Sequence, residues 1–165
     1  MSLRLRLHRA ARGEGGFTLI ELAVVILIIG ILLAVAIPTF LGVRKGAQNK
    51  AAQSSVRNAL TAAKAEASDG GTYIGVTAQR LQDGAPELAF KLSLPSTRPT
   101  EVSVAIGDNG VLVLVSRAQT GECFWLRDNL DDQGEIAGQS FARTHGAPNC
   151  TAAVDPGAAP WQSNW

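Results

Sequence analysis

A chain of 165 residues, 46% of them hydrophobic, is long enough for one compact domain with an appended element and too short for two full domains. Its formal charge of +1 is unevenly laid out: Arg4, Arg6, Arg9 and Arg12 all precede the first apolar run, and the remainder carries 11 basic against 13 acidic side chains. That balance, with aromatics at only 5%, excludes a nucleic-acid groove built on bulk positive charge or base stacking. With His8 and His145 as the only histidines, a His-rich metal site or a histidine relay is excluded by count.

The next element is a long apolar run. No polar side chain occurs from Leu22 to Ile37, and from Phe17 to Val43 the only polar ones are Thr18, Glu21 and Thr39. As a helix those 27 residues extend roughly 40 Å, enough to cross a bilayer core. The rest of the chain is too small to surround such a helix on every face. Three readings compete for it. In a removable secretory signal, Ala34-Val35-Ala36 would be the cleavage site. The run is longer than the roughly 7–15 apolar residues of a signal core, however. Pro38 also restricts the backbone just behind that cut. A plain membrane anchor gives no reason for Glu21 or for the abrupt Gly15-Gly16-Phe17 junction.

The third reading starts from those two features. Gly15-Gly16 is a flexible pair that can lie extended in a protease, and a cut after Gly16 would make Phe17 a new amino terminus. Glu21 then lies about one helical turn inside the apolar edge. An ionised carboxylate at mid-bilayer costs about 2.5–3.5 kcal/mol and less near the interface, so Glu21 calls for neutralisation. Snorkelling to the headgroups is one route. The amino terminus of a neighbouring copy is another.

Gly16-Phe17-Thr18-Leu19-Ile20-Glu21-Leu22, joined to a basic leader and an apolar helix, resembles the prepilin cleavage and methylation motif of type IV pilins and of the related type II secretion pseudopilins. The resemblance is close over roughly residues 15–40 and architectural beyond. It implies that a membrane-embedded aspartyl prepilin peptidase cuts after Gly16 and N-methylates Phe17. It also implies that Glu21 pairs with the terminal amine of an adjacent subunit during assembly. Gly30 and Pro38 fall where many bacterial pilins carry helix-weakening residues, and the stretch between them can unwind in the filament of that family. The residues agree physically: Pro inside a helix costs about 3 kcal/mol or more and Gly about 1 relative to Ala, so a kink or local melting between them is favoured.

Helical periodicity continues past Pro38, with Val56, Leu60, Ala63 and Ala67 in one stripe, Ala52 and Ala59 beside it, and Arg57, Lys64 and Glu66 away from it. Stop signals come at Asp69-Gly70-Gly71, predicting one helix from about Phe17 to Ser68. Residues 72–100, with Pro86, Pro95 and Pro99, read as a connector, with a weak strand near Phe90 to Leu94. Glu101 to Ile106 and Val111 to Ser116 flank Gly107-Asp108-Asn109-Gly110, a hairpin pattern, and a further strand is predicted at Glu122 to Arg127. The fold class is therefore α+β. A long amino-terminal helix, apolar and then amphipathic, packs on a small antiparallel sheet of three or four strands in a pilin-like way. The corresponding division is a basic leader 1–16, a transmembrane or filament-core helix 17–43, an amphipathic half 44–71, and a β-rich head 72–165.

Cys123 and Cys150, the only cysteines, form no C-x-x-C and no Cys/His cluster. In an exported domain a disulfide is their simplest use, with two unpaired buried thiols as the alternative. The resemblance favours the disulfide, since a carboxy-terminal disulfide loop is frequent in pilins. The acidic stretch from Asp128 to Glu135 departs from the EF-hand pattern at Leu130 and reads as a solvated loop. Asp128, Asp131 and Asp132 are weak calcium candidates, because major pseudopilins often bind calcium in this region; no other cofactor is expected. Trp161 and Trp165 either tuck onto the body or lie at a contact surface. No nucleophile, base and orienter constellation and no phosphate loop can be named, so the chain is read as a non-enzyme.

The resemblance implies a subunit of a type IV pilus-like filament, serving adhesion, motility, DNA uptake or secretion. Its partners would be copies of itself, the prepilin peptidase, an assembly ATPase, a platform protein and, before assembly, membrane lipid. It would sit in the cytoplasmic membrane with the head outside and then in an extracellular or periplasmic filament. A type II secretion pseudopilin and a non-polymerising membrane-anchored binding domain are the alternatives.

Overall fold

A computed structural model describes residues 16–68, 70–130, 138–146, 149–152 and 161–165. Helix α1 spans Leu19–Ala67, within about two residues of its predicted ends at either side. The chain divides into two compact units, one ending at Leu41 and one starting at Gly42.

In the first unit α1 buries no side chain, and its Val, Leu and Ile residues are all exposed. In the second unit α1 buries Ala52, Val56, Ala59, Leu60, Ala63 and Ala67, the stripe expected from the sequence, together with Ser55 and Ala62. The small alanines let the helix backbone approach the sheet closely. The helix ends where the Gly70 and Gly71 N–H groups donate to Ala67 O at 3.2 and 2.9 Å, with Gly71 at φ +63°, a conformation that costs glycine little.

Residues 72–100 contain more structure than the predicted connector. A short helix α2, Ala78–Gly84, starts where the Thr77 hydroxyl accepts from Arg80 N–H at 3.3 Å, and it buries Leu81 completely. A Cβ on Gly84 would stand 3.4 Å from Ala62 Cβ, so the absence of a side chain there sets how closely α2 meets α1.

Five strands follow: β1 Ala89–Leu92, β2 Glu101–Ile106, β3 Leu112–Arg117, β4 Cys123–Asn129 and β5 Gly138–Thr144. They lie side by side in sequence order. The predicted hairpin is β2 and β3, antiparallel with Val104 opposite Leu114, and its tip places Gly110 at φ +77°. Two features depart from the expected antiparallel sheet of three or four strands. β1 runs parallel to β2, because residues 93–100 carry the chain back to the same end. β5 is an additional strand; with Phe141 as its one large apolar residue, it lacks the alternation by which a strand is recognised.

Register builds the core. Val104, Leu114, Leu126 and Phe141 are successive cross-strand partners, all buried, and they face Val56, Ala59, Leu60 and Ala63 of α1. The opposite face is also covered: Val115, Trp125 and Ala142 pack with Cys123, Cys150, Ala152 and Trp161. The Cys123–Cys150 disulfide is formed and fully buried, and its loop is stapled again by Ser96 N–H donating to Cys150 O at 2.9 Å. For cysteines 27 residues apart, loop closure contributes about 3.5 kcal/mol.

Glu101 anchors the start of β2. Its buried carboxylate accepts from the Thr97 N–H at 2.9 Å and hydroxyl at 2.7 Å, from Arg98 Nε at 2.9 Å and from Lys91 Nζ at 2.9 Å. Burial alone would raise its pKa, but the donors of Thr97, Lys91 and Arg98 outweigh it and hold the group at about 2, against an ordinary value of 4.5. A folded-state pKa below the unfolded one stabilises the fold above the unfolded value and loses that stabilisation as pH falls. Denaturant unfolding should therefore show stability declining as pH drops from about 4.5 to about 2. The Glu101→Gln chain should be less stable at neutral pH and show a shallower decline across that window.

Candidate functional site

Gly16, Phe17 and Thr18 lie immediately ahead of α1. Gly16 lies in open space, a Cβ there meeting nothing within 4 Å, and Phe17 is 88% exposed. Both sides of the predicted cleavage junction are thus accessible. Thr18 and Glu21 form a reciprocal cap. The Thr18 N–H and hydroxyl both donate to Glu21 Oε2 at 2.9 Å, and the Glu21 N–H donates to Thr18 Oγ1 at 3.2 Å. This is the Thr-x-x-Glu capping box, which satisfies helix N–H groups that have no intrahelical partner. The bonds described use Oε2, which leaves Oε1 available to a further donor.

Beyond the cap and as far as Val43, α1 is apolar except at Thr39, and by length and composition it can cross a membrane. The helix is continuous through Gly30 and Pro38. The Thr39 hydroxyl donates back to Ala36 O at 2.9 Å and Val35 O at 3.3 Å, supplying polar contact in the turn that Pro38 weakens.

A family model, that of the prokaryotic N-terminal methylation motif, matches residues 11–37. The match covers the Gly16-Phe17 junction, the Thr18–Glu21 cap and the apolar helix through Ile37. The amino-terminal segment matches a prokaryotic N-terminal methylation motif. The chain is also 34% identical, over 104 residues, to the type IV major pilin protein PilA of Myxococcus xanthus strain DK1622. That alignment takes in 63% of this chain and spans 44% of the relative's length. No solved structure gives a significant match. The two matches show a likeness to that motif and to that pilin.

Other residues singled out in the sequence have distinct fates. Gly16, Phe17 and Glu21 are gathered at the entrance of α1. Cys123 and Cys150 are joined in the head. Asp128, grouped with a solvated acidic loop in the sequence, instead lies in β4 with its side chain fully buried. It accepts a short hydrogen bond from the Tyr73 hydroxyl and pairs with Lys64 Nζ at 3.2 Å. Burial, and then the hydrogen bond to the Asp128 carboxylate, push the Tyr73 pKa well above its ordinary value, so Tyr73 is a neutral donor. Asp131 and Asp132 lie outside the described residues. Among the described residues no three His, Cys, Asp or Glu side chains cluster as metal ligands.

Lys64 and Tyr73 were legible only as parts of a helix face and a connector; nothing in their spacing points to a partner 55 residues beyond Tyr73. Their role is to close a buried carboxylate between α1, the following loop and β4. The Tyr73→Phe chain removes one donor from that carboxylate and should lose about 1–3 kcal/mol in denaturant unfolding. An unchanged midpoint would show that Lys64 alone suffices.

Proposed function

We propose that the chain is a structural subunit of a type IV pilus-like filament, processed after Gly16 and assembled from the cytoplasmic membrane. The observation that carries this reading is the methylation motif at the entrance of a helix whose first half buries nothing within its own chain. Apolar surface on all sides is stable in lipid or against other helices, and identical copies in heterologous contact generate an open helical fibre. The same helix would thus serve as anchor before assembly and as filament core afterwards.

Each named residue has a task in this reading. Gly16 gives the peptidase an unobstructed scissile bond, and Phe17 becomes the methylated terminus. Glu21, capped by Thr18, holds a carboxylate one turn inside the apolar edge, where the terminal amine of an adjacent subunit neutralises it. That pairing offsets a burial cost of about 2.5–3.5 kcal/mol and fixes the axial register of the incoming copy. Gly30 and Pro38 make the segment between them the least costly place for the helix to open when subunits pack. The partners are copies of the chain, a prepilin peptidase, an assembly ATPase and a platform protein, with the head outside the membrane. Function resides in the polymer, as adhesion, motility, DNA uptake or secretion, and the subunit is structural rather than enzymatic.

The buried disulfide favours the pilin over the pseudopilin reading. Commitment of Asp128 to Tyr73 and Lys64 counts against a calcium site through that residue, and no resident cofactor is proposed. Mass spectrometry of the mature amino terminus tests the assignment. N-methylated Phe17 is the expected result, whereas an intact leader or a terminus at Ile37 would overturn it. The Glu21→Val chain should still be cleaved but yield far fewer fibres, and normal fibre numbers would refute the charge-pairing role.

A further inference from the structure

A sheet has two edges, and an edge strand presents unpaired backbone groups on which another chain can build. At β5 of this head the edge is occupied by the chain's own residues 161–165. Phe141 and Gln162 exchange both backbone hydrogen bonds at 2.7 Å in an antiparallel bridge at the middle of β5. Trp165 then anchors the segment. Its indole N–H donates to Ala142 O at 3.0 Å and to Trp125 O at 3.2 Å. Its ring stands edge-on to Phe141 and Phe124 at 4.7 and 5.8 Å, and the Arg57 guanidinium lies 5.2 Å from its centroid. One backbone pair would not hold five residues in place; the aromatic anchor does so by filling the gap between α1 and the sheet.

The geometry points to an edge guard: residues 161–165 occupy β5 so that it does not pair with β5 of a second copy. The second copy is the fitting occupant because antiparallel pairing of one strand with itself is symmetric. Centred on Phe141, the pair would reuse the same N–H and C=O groups that now serve Gln162, and Gln139 would face Arg143 of the other copy. Both side chains are exposed, so their replacement leaves the core intact. The inference concerns the head alone and stands whether or not the filament reading holds.

The test introduces Gln139→Cys and Arg143→Cys together in the full chain in detergent, with the native Cys123–Cys150 bond verified by peptide mapping. The guard is then loosened in two ways. Trp165→Ala removes the anchor, and Gln162→Pro removes the N–H that Phe141 O accepts while keeping the anchor. Under mild oxidation both loosened chains should gain a dimer linked from 139 to 143, growing with protein concentration and absent when residues 161–165 are unaltered. Trp165→Phe should restore most of the protection. Folded chains that remain unlinked, that link equally with the guard intact, or that link indiscriminately from 139 to 139 and 143 to 143 would overturn the proposal. Should Trp165→Ala not fold, Gln162→Pro decides alone.

Discussion

Apolar surface that one chain cannot bury is the constraint on which the rest depends. From Phe17 to Val43 every large hydrophobic side chain stands exposed, and no rearrangement of a head this size could enclose them. Such a segment must exchange water for lipid or for other helices, and lipid gives no hydrophobic drive toward either. The choice is therefore made by packing, by small residues and by the few polar groups present. Glu21 is the charged one, which is why its surroundings matter more than those of any apolar neighbour. In the single chain Thr18 satisfies one of its oxygens and the helix amino terminus receives a cap in return. An incoming amine would add to that arrangement through Oε1 without dismantling it.

The head meets a different constraint, that of stabilising a small sheet without a large core. It does so by covering both faces. Alanines of α1 let one face close tightly, and the disulfide-bonded segment with Trp161 shields the other. The two buried carboxylates among the described residues each meet a cation and a hydroxyl. Glu101 gathers donors from three residues at the start of β2, and Asp128 is shared by a lysine and a tyrosine from two separate elements. Removing one partner from such a group costs more than the pair contributes, so each acts chiefly to specify one arrangement of strands and helix.

Much of this was legible in the residues, for identifiable reasons. The apolar run, the alanine stripe and the Gly107 to Gly110 hairpin are local patterns, each written within a few turns or strands of itself, and each lies where the pattern puts it. The Thr18-x-x-Glu21 cap is equally local, a hydroxyl and a carboxylate three residues apart at a helix start. The parallel pairing of β1 was not legible, because a period of two residues reports burial and says nothing of strand direction. Helix α2 is too short for its period to register, and β5 carries a single large apolar residue. The burial of Asp128 is not legible, because its acidic sequence neighbours point to solvent whereas its partners Lys64 and Tyr73 are distant in the chain. That Trp165 tucks onto the body was one of two readings its aromatic character allowed, and its slot is formed by three elements that only the fold brings together.

The central claim is that the apolar half of α1 is finally buried by the same segment of other copies. A photoreactive amino acid at position 27, in the middle of that half, reports directly what surrounds it. In isolated fibres irradiation should give covalent links to residues 17–43 of another copy, while in membranes before assembly the same label should give lipid adducts. Fibres that yield only lipid adducts, or links only to residues of the head, would contradict the account.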